Sequence, residues 1–331
     1  MTATAPRASA GATEAPDRPV TMGVLVALGT VYLVWGSTYL AIKYVVEGGL
    51  PPFVAMGARF LLAGLVLTVP LLLVRGPAVF AMTRAQLITA SVCGLFLLVG
   101  GNGLVAVAEQ DVDSGLAALL IAGTPLWVVL LRAALRDRPS VATVAGLLLG
   151  LVGVALLLLP GVQGAARLGP LLLVCLSSFL WSCGTVLATR RPMPADPFVS
   201  TVVEMAVGGT TMVLLGSVGG EWGRLDLGRT EPSSWIAFGY LVLVGSVVGY
   251  SAYVWLLARA PLSLATTYAY VNPAVAVALG ALFLSEPLTS NVLIGGAVII
   301  AAVAWVITAE SRSRRRPLPG REAGAPPVEP T

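Results

Sequence analysis

The chain contains no histidine, and only 11% of its 331 residues are charged. The missing imidazole excludes the commonest metal ligand and the usual proton relay, so we expect no metal site. A soluble domain carries about 25% charged residues. With less than half of that share, the chain has too little polar surface to enclose a globule of this length in water. It is therefore predicted to be a membrane protein.

Cysteines and nucleotide-binding motifs are also scarce. The three cysteines, Cys93, Cys175 and Cys183, all lie in apolar runs. An odd, buried set argues against disulfides and favours small apolar packing. No GxxxxGK[ST] sequence occurs, so ATP coupling within the chain is not expected, and we expect no cofactor. The net charge of +4 in so apolar a chain gives no footprint for nucleic acid, so no nucleic-acid partner is expected.

Long apolar runs are abundant, and 57% of the residues are hydrophobic. A helix needs about 20 apolar residues to cross the hydrocarbon core of a bilayer. Ten runs of this kind predict ten transmembrane helices, at 23–43, 53–74, 86–108, 114–132, 141–160, 169–189, 197–219, 234–257, 264–284 and 290–308.

The chain also repeats itself. Three landmarks recur at offsets of 146, 145 and 148 residues, namely Trp35 and Trp181, Pro52 and Pro197, and Pro125 and Pro273. Such a near-constant offset indicates the duplication of a five-helix unit, with small changes in the loops. Because five is odd, the second unit must enter the membrane from the opposite side. The sequence therefore predicts an all-α membrane protein of ten transmembrane helices in two inverted repeats, with a binding site near the midplane.

The positive charges predict the orientation. With the amino terminus in the cytoplasm, fifteen of the twenty basic residues fall on the cytoplasmic side, so both termini are expected there. We expect a disordered tail at 1–22, the first repeat at 23–160, the second repeat at 169–308, and a basic disordered tail at 309–331. The predicted location is the inner or plasma membrane, as a multi-pass protein.

Short motifs in both halves resemble a known family. They are Val34-Trp35-Gly36-Ser37-Thr38, Arg59-Phe60, Ala108-Glu109-Gln110, Ser114-Gly115-Leu116-Ala117-Ala118, Pro125-Leu126-Trp127, Leu180-Trp181-Ser182, Asn272-Pro273 and Leu284-Ser285-Glu286-Pro287. Their order over roughly residues 23–308 resembles the EamA-type branch of the drug/metabolite transporter superfamily. The resemblance implies an inner-membrane carrier with a central cavity, whose members export amino acids, metabolites or toxic compounds. It implies no shared catalytic residue.

Polar and aromatic side chains within the spans are candidates for a solute cavity, because such groups need partners or a wet space in lipid. The candidates are Trp35, Ser37, Tyr39, Asn102, Trp181, Ser182, Tyr250, Tyr253, Tyr268 and Asn272. Each has a structural alternative. The aromatic residues could form a packing ridge, and the hydroxyls and amides could bond backbone carbonyls that a proline kink sets free.

Three charged residues are further candidates. Arg59 and Glu204 occupy equivalent positions of the two repeats, inside spans. Arg59 could bond helix carbonyls, serve as counter-ion for an anionic solute, or pair with Glu109. Glu204 could carry a coupling proton, form a structural hydrogen bond, or face lipid and extend its carboxyl group toward the membrane surface. Glu109, at the outer end of the third span, could act as a gate or attract cations.

These features predict a secondary carrier and not an enzyme. It would move a small metabolite, an amino-acid-like compound or an amphiphilic toxin, most often outward, by alternating access. Two alternatives stay open: a membrane scaffold or sensor that transports nothing, and a membrane enzyme that acts on lipid. The expected partners are a small-molecule solute and membrane lipid, and the protein is expected to be a monomer or homodimer.

Overall fold

The structure is a computed structural model, and it describes residues 21–136, 140–158, 168–260 and 268–314. Within these ranges the chain forms helices and loops and no strand. The predicted tails lie mostly outside the described residues, and the last helix continues into the predicted carboxyl-terminal tail as far as Arg314.

We number ten helices in the described ranges. They are α1 Met22–Glu47, α2 Pro52–Arg75, α3 Arg84–Ala108, α4 Ser114–Ala134, α5 Val141–Leu158, α6 Leu168–Arg190, α7 Pro197–Val218, α8 Pro232–Leu257, α9 Tyr268–Leu284 and α10 Ser290–Arg314. Proline opens α2, α7 and α8, where its fixed φ suits the first helical turn and its missing N–H is not needed. These helices begin close to the predicted spans.

Seven of the ten, α1 to α4 and α6 to α8, are long and apolar enough to cross a membrane. The other three contain shorter apolar helices, at Val141–Gly153, Val271–Leu284 and Ser290–Val306. Large apolar side chains are exposed around the bundle, among them Leu33, Leu73, Leu214 and Leu282. Helices that are apolar on every side suit a lipid environment. The finding establishes an all-helical membrane protein, and the crossing of all ten helices stays a prediction.

Two helices depart from regular α geometry, and one is interrupted. α3 contains a π-helical segment at Leu95–Gly103, and α8 contains one at Leu241–Tyr250, which is the same place in the second half. α4 is broken by a turn into Ser114–Ile121 and Thr124–Ala134, just before Pro125. A proline cannot donate to the carbonyl four residues earlier, so the break follows from the sequence.

The loops gather at two ends of the bundle. At one end, which we call the Lys43 end, the loops after α1, α3, α7 and α9 meet. There Lys43 donates to two carbonyl oxygens beyond α3, Ser234 donates to Tyr44 O, and Glu286 caps the start of α4. At the other, the Arg75 end, the loops after α2 and α6 meet. There Arg75 forms an ion pair with Asp196.

Corresponding helices of the two halves pack antiparallel. In the α2/α7 pair, a Cβ placed on Gly57 would lie 2.8 Å from Gly209 O, and one placed on Gly209 would lie 2.9 Å from Gly57 O. The start of α2 also meets the end of α7, since the Glu221 carboxylate accepts from Phe53 N and Val54 N. Glycine on both helices is what permits this approach.

The α5/α10 pair is antiparallel too. Gly146 near the start of α5 faces Val306, Gly153 farther along faces Ile299, and Trp305 Nε1 donates to Ala142 O at 2.8 Å. The remaining contacts between halves are reciprocal. α1 packs on α8 and α9, and its counterpart α6 packs on α3 and α4. This exchange leaves α5 and α10 at the periphery and brings α1 and α6 to the centre.

Candidate functional site

A cavity with an empty volume of about 630 Å³ lies at the junction of the two halves. α1, α2, α3 and α4 contribute to its wall from the first half, and α6, α8 and α9 contribute from the second. Its lining residues are Trp35, Thr38, Tyr39, Ile42, Arg59, Phe60, Gly101, Asn102, Val105, Ile121, Thr124, Ser177, Trp181, Gly245, Tyr250 and Tyr268.

Five aromatic rings cluster at this wall. The Trp35 ring lies 5.6 Å from Trp181 in a T-shaped arrangement, 5.3 Å from Tyr268 and 4.7 Å from Tyr253, centroid to centroid. Tyr250 completes the cluster at 6.4 Å from Trp35. Edge-to-face pairs at such distances are favourable beyond their burial alone. The two tryptophans that the repeat places in equivalent positions thus meet directly.

Arg59 of α2 brings a positive charge to the wall, and its side chain is only 3% exposed. Nε donates to Ser246 Oγ at 2.7 Å, Nη1 lies 3.6 Å from Met56 Sδ, and the guanidinium lies 4.7 Å from the Phe60 ring centroid. Among the described residues, no carboxylate lies within 4 Å of it. Since a guanidinium has five N–H donors, much of its capacity remains for the cavity that it lines.

Glu204 lies behind the wall, on α7. It is 3% exposed, and its Oε2 accepts a hydrogen bond from the hydroxyl of Tyr250, which does line the cavity. The backbone around Glu204 packs on α3, where a Cβ on Gly94 would lie 2.6 Å from Glu204 O. In the described part of the chain Glu204 and Arg59 form no ion pair, so the two in-membrane charges are held by separate hydroxyl groups.

Polar side chains bond the backbone near Pro125, where α4 is interrupted, and near Pro273 inside α9. At Pro125, Thr124 donates to Ile121 O at 2.6 Å and shares a 2.9 Å hydrogen bond with Ser178. Ser182 Oγ lies 3.1 Å from Thr124 O and 2.8 Å from Ser178 O. The carbonyl that Pro125 leaves without an N–H donor is thereby satisfied.

A similar arrangement occurs beside Pro273, which lies inside α9. With its amide nitrogen turned toward the carbonyls, Asn272 donates to Tyr268 O at 3.2 Å and to Tyr32 O at 3.1 Å. Asn272 and Thr124 each precede the equivalent proline of their repeat, and Tyr32 and Ser178 are likewise equivalent. Both contacts join the proline-containing helix of one half to the first helix of the other.

The structure brings seven of the predicted site residues to the cavity wall: Trp35, Tyr39, Arg59, Asn102, Trp181, Tyr250 and Tyr268. Four predicted cavity residues do not line it. Ser37 bonds Tyr240 at 2.6 Å, Ser182 and Asn272 bond backbone carbonyls near Pro125 and Pro273, and Tyr253 is buried behind Trp35. Asn102 itself makes a 3.4 Å contact with Leu97 O within the π-helical segment.

Glu109 lies at the Lys43 end, one residue beyond α3, and is fully buried. Its partner is not Arg59. Instead the nearby cation is Lys43, which binds the Glu109 carbonyl oxygen at 2.8 Å and not its carboxylate. Among the described residues, both carboxylate oxygens lack a hydrogen-bond partner. The Glu109 side chain is enclosed in this structure, and its role as a gate or as a group that attracts cations stays a prediction.

Several wall residues were not predicted as site residues, among them Phe60, Gly245, Thr124 and Ser177. Thr124 carried a usable signal, because it stands before Pro125 as Asn272 stands before Pro273. Gly245 carried none that a single sequence offers. A Cβ there would lie 3.2 Å from Arg59 Nη2, so glycine keeps space beside the guanidinium.

Comparison with known proteins identifies the family. The model of the EamA-like transporter family matches residues 21–159 and again 168–308. The chain is 35% identical to the uncharacterized inner membrane transporter YedA of Escherichia coli K12 over 281 residues, which cover 85% of this chain and 89% of that protein. It is 26% identical to a "probable amino-acid metabolite efflux pump" of Salmonella typhimurium, over 82% of this chain and 91% of that protein.

A solved crystal structure has the same fold, with a TM-score of 0.62 and 21% sequence identity. The likeness covers 88% of this chain and 99% of that one. Both halves of the chain thus match one family model in succession, and the relatives are named as membrane transporters. The chain belongs to the EamA-like transporter family and is a multi-pass inner membrane transporter.

Proposed function

We propose that the protein exports small metabolites, amino-acid-like compounds or amphiphilic toxins by alternating access. The observation that carries this proposal is the cavity at the junction of the halves, to which seven helices from both halves contribute. A site shared by two rigid units can be exposed to one side of the membrane and then the other when the units rock. The export direction draws on the relative that is named an efflux pump.

The proposed architecture is ten crossings in two inverted repeats. Two observations support it. The corresponding helices α2 and α7 run antiparallel, as do α5 and α10. In addition, the loops after the first and third helices of one half share an end with the loops after the second and fourth helices of the other. Units related by a two-fold axis in the membrane plane have both properties.

The proposed orientation places the Arg75 end in the cytoplasm and the Lys43 end outside. Its support is the distribution of basic residues, of which fifteen in twenty fall on the side of Arg75. Both termini lie on that side in this arrangement.

The chemistry of the wall favours a solute that combines a carboxylate with an apolar or aromatic body. Arg59 offers N–H donors that no carboxylate in the described part of the chain occupies, and carboxylate is the group that a guanidinium binds best. Trp35, Trp181 and Tyr268 offer ring surface for the apolar part. Such solutes include amino-acid derivatives and amphiphilic acids.

Flux into vesicles that contain the purified protein tests the proposal. Each solute should be offered in two forms, as the carboxylate and as its neutral amide. We expect saturable uptake of carboxylates that is stimulated by the same solute on the opposite side. Arg59→Met should abolish the preference for the carboxylate, whereas Arg259→Met, which alters an exposed arginine stacked on Trp255, should keep it.

Protein-free vesicles give the background. If no solute of the panel shows saturable, countertransport-stimulated flux, the transport proposal fails. If flux occurs but carboxylate and amide are carried equally by the parent protein, the transport proposal holds and the assignment of Arg59 fails.

A further inference from the structure

Glu109 is a buried carboxyl group to which the proposed function gives no role. It lies just past the end of α3, one helical turn beyond Val105, which lines the cavity. The residue is 0% exposed, and neither carboxyl oxygen has a hydrogen-bond partner within the described ranges. Buried carboxylates are ordinarily paired or hydrogen-bonded, since an isolated buried charge is strongly disfavoured. This group therefore needs an explanation.

Lys43 does not supply the missing partner. Its ammonium group has three hydrogens, and the structure uses all three: Glu109 O at 2.8 Å, Val112 O at 3.0 Å and Glu47 Oε1 at 2.9 Å. The charge of Lys43 is also already balanced by Glu47. A negative charge on the Glu109 carboxyl would thus find the nearby cation fully engaged.

The other ionisable groups around Glu109 are acidic or neutral. Glu286, from the loop after α9, accepts from Ser114 N and Oγ and from Gly115 N, and Asp113 precedes α4. Tyr39 of α1 lines the cavity and lies within electrostatic range of Glu109. Glu286 and Glu47 are occupied by other contacts, so they add negative potential without offering a donor.

Burial raises the pKa of Glu109 well above its ordinary value of 4.5. Lys43 opposes this shift, and Glu286 and Glu47 add to it. Burial and the neighbouring negative charges therefore favour the neutral carboxylic acid in this enclosed place. A carboxylate there would need water or a cation that is free to pair with it.

We propose that Glu109 is a proton-binding site of the Lys43 end, neutral while that end is closed and ionised when it opens. On opening, the O–H bond breaks, the proton passes to water outside, and the negative charge stays on the now hydrated carboxylate. On closing, a proton from water returns to it. This inference rests on the proposed transport cycle, to which it adds proton coupling.

The sign of the pH dependence follows from this assignment. The closed form binds one proton more than the open form between the ordinary carboxyl pKa and the raised one. Raising the pH through that window therefore favours opening, by at most about tenfold in the equilibrium constant per pH unit. Lowering the pH favours closure.

Infrared spectroscopy of the purified full-length protein tests the protonation itself. The wild type should show the C=O band of a protonated carboxylic acid at neutral pH, and this band should titrate away as the pH rises. Glu109→Gln should lose it. Glu231→Gln, which alters an exposed carboxylate at the same end, should keep it. Retention of the full band in Glu109→Gln, or its absence from the wild type, would overturn the assignment.

A second measurement follows the opening. Val112 is buried at the Lys43 end, so Val112→Cys, in a chain whose three native cysteines are replaced, reports access for a membrane-impermeant maleimide. The labelling rate is divided by that of the same cysteine in Glu109→Gln, which cancels the pH dependence of the thiol. We expect this ratio to rise with pH by up to about tenfold per unit. A flat ratio would contradict the proposal.

Folding is checked by size-exclusion chromatography before either measurement. If Glu109→Gln is not recovered folded, Glu109→Asp replaces it, because its carboxyl band should move in frequency while a band from any other residue should not. Neither measurement uses a transported solute. If the carboxylic-acid band titrates but no solute flux occurs, the proposed function is contradicted and the assignment of Glu109 is not. If flux occurs but no such band titrates, the assignment of Glu109 is contradicted and the proposed function is not.

Discussion

Arg59 and Lys43 are both buried cations, and the structure predicts opposite responses to the same substitution. Lys43 donates three hydrogen bonds to oxygen and pairs with Glu47. Arg59 donates to Ser246 and contacts the sulfur of Met56 and the ring of Phe60, and no described carboxylate is near it. Replacing each by methionine removes the charge and keeps a long apolar side chain.

For Arg59→Met the opposing energies nearly cancel. The substitution loses a charge-assisted hydrogen bond, worth about 1.5–3 kcal/mol. It also loses a cation–π contact of about 0.5–2 kcal/mol. In return it removes a buried ion without a counter-ion, whose effective desolvation penalty is on the order of several kcal/mol. We therefore expect the stability of the solute-free protein to be unchanged or raised.

For Lys43→Met the balance differs, because two buried carbonyl oxygens lose their donor. Each such loss costs about 1–3 kcal/mol, so the variant should be less stable by about 2–6 kcal/mol. Thermal unfolding in detergent, followed by intrinsic fluorescence, compares the two variants with the parent protein.

Transport supplies the second readout for Arg59→Met. If Arg59 binds a carboxylate of the solute, its loss should cost about 1.5–3 kcal/mol of binding, or roughly a 10–150-fold rise in the half-saturating concentration. Stability is then kept while transport falls. A drop in the unfolding temperature as large as that of Lys43→Met would refute the reasoning, since it would mean that Arg59 holds the helices together.

Two further substitutions test the packing between the halves. Gly57→Ala places a Cβ 2.7 Å from Val213 Cγ2, whereas the Cβ of the control variant Gly29→Ala meets no atom within 4 Å. The first variant should therefore be less stable than the second by about 1–3 kcal/mol. Equal unfolding temperatures for the two variants would contradict the α2/α7 contact. Glu221→Gln leaves one acceptor oxygen in place of two for the backbone N–H groups at the start of α2, and it removes a negative charge there. The variant should be less stable by about 1–2 kcal/mol, which lowers its unfolding temperature. An unfolding temperature equal to that of the control Glu231→Gln would contradict the capping role of Glu221.

The sequence was sufficient to predict features that depend on local order along the chain. Pro52 and Pro197 predicted where α2 and α7 begin, and the apolar runs predicted where the helices lie. The duplication also predicted that Trp35 and Trp181 are equivalent, and the structure places them in contact across the interface of the halves. The equivalent positions meet because α1 and α6, the first helices of the two halves, both lie at the centre of the interface.

Side-chain contacts that depend on how one helix is rotated against its neighbours could not be predicted. Ser37 lies two residues from Trp35, yet it turns toward Tyr240 and away from the cavity, because α8 packs on that side of α1. Lys43 is the last residue of the first predicted span, 23–43, and the packing of α1 against the end of α3 buries it among carbonyl oxygens. A single sequence holds the period of a helix but not the rotation of one helix against another.

The π-helical segments were also missed, for a related reason. Their residues, Leu95–Gly103 and Leu241–Tyr250, are apolar and glycine-containing like the rest of the spans. A wider helical turn is stabilised by packing and by local bonds such as that of Asn102 to Leu97 O, and neither is visible in composition. Their recurrence at equivalent places nevertheless shows that both halves keep this irregularity.

One side-chain contact links α2 and α7 at each end of the pair, and we call each contact a tether. The two tethers consist of different residues and differ in strength. At the Arg75 end the tether is an ion pair with Asp196, in which Arg75 is half exposed. Exposed ion pairs contribute only about 0–1 kcal/mol. At the Lys43 end the equivalent position is Glu221, which is buried and bonds two backbone N–H groups. Because the geometry is shared and the chemistry is not, the Arg75 end should open at lower free energy than the Lys43 end. Different side-chain contacts thus hold the two ends of this helix pair.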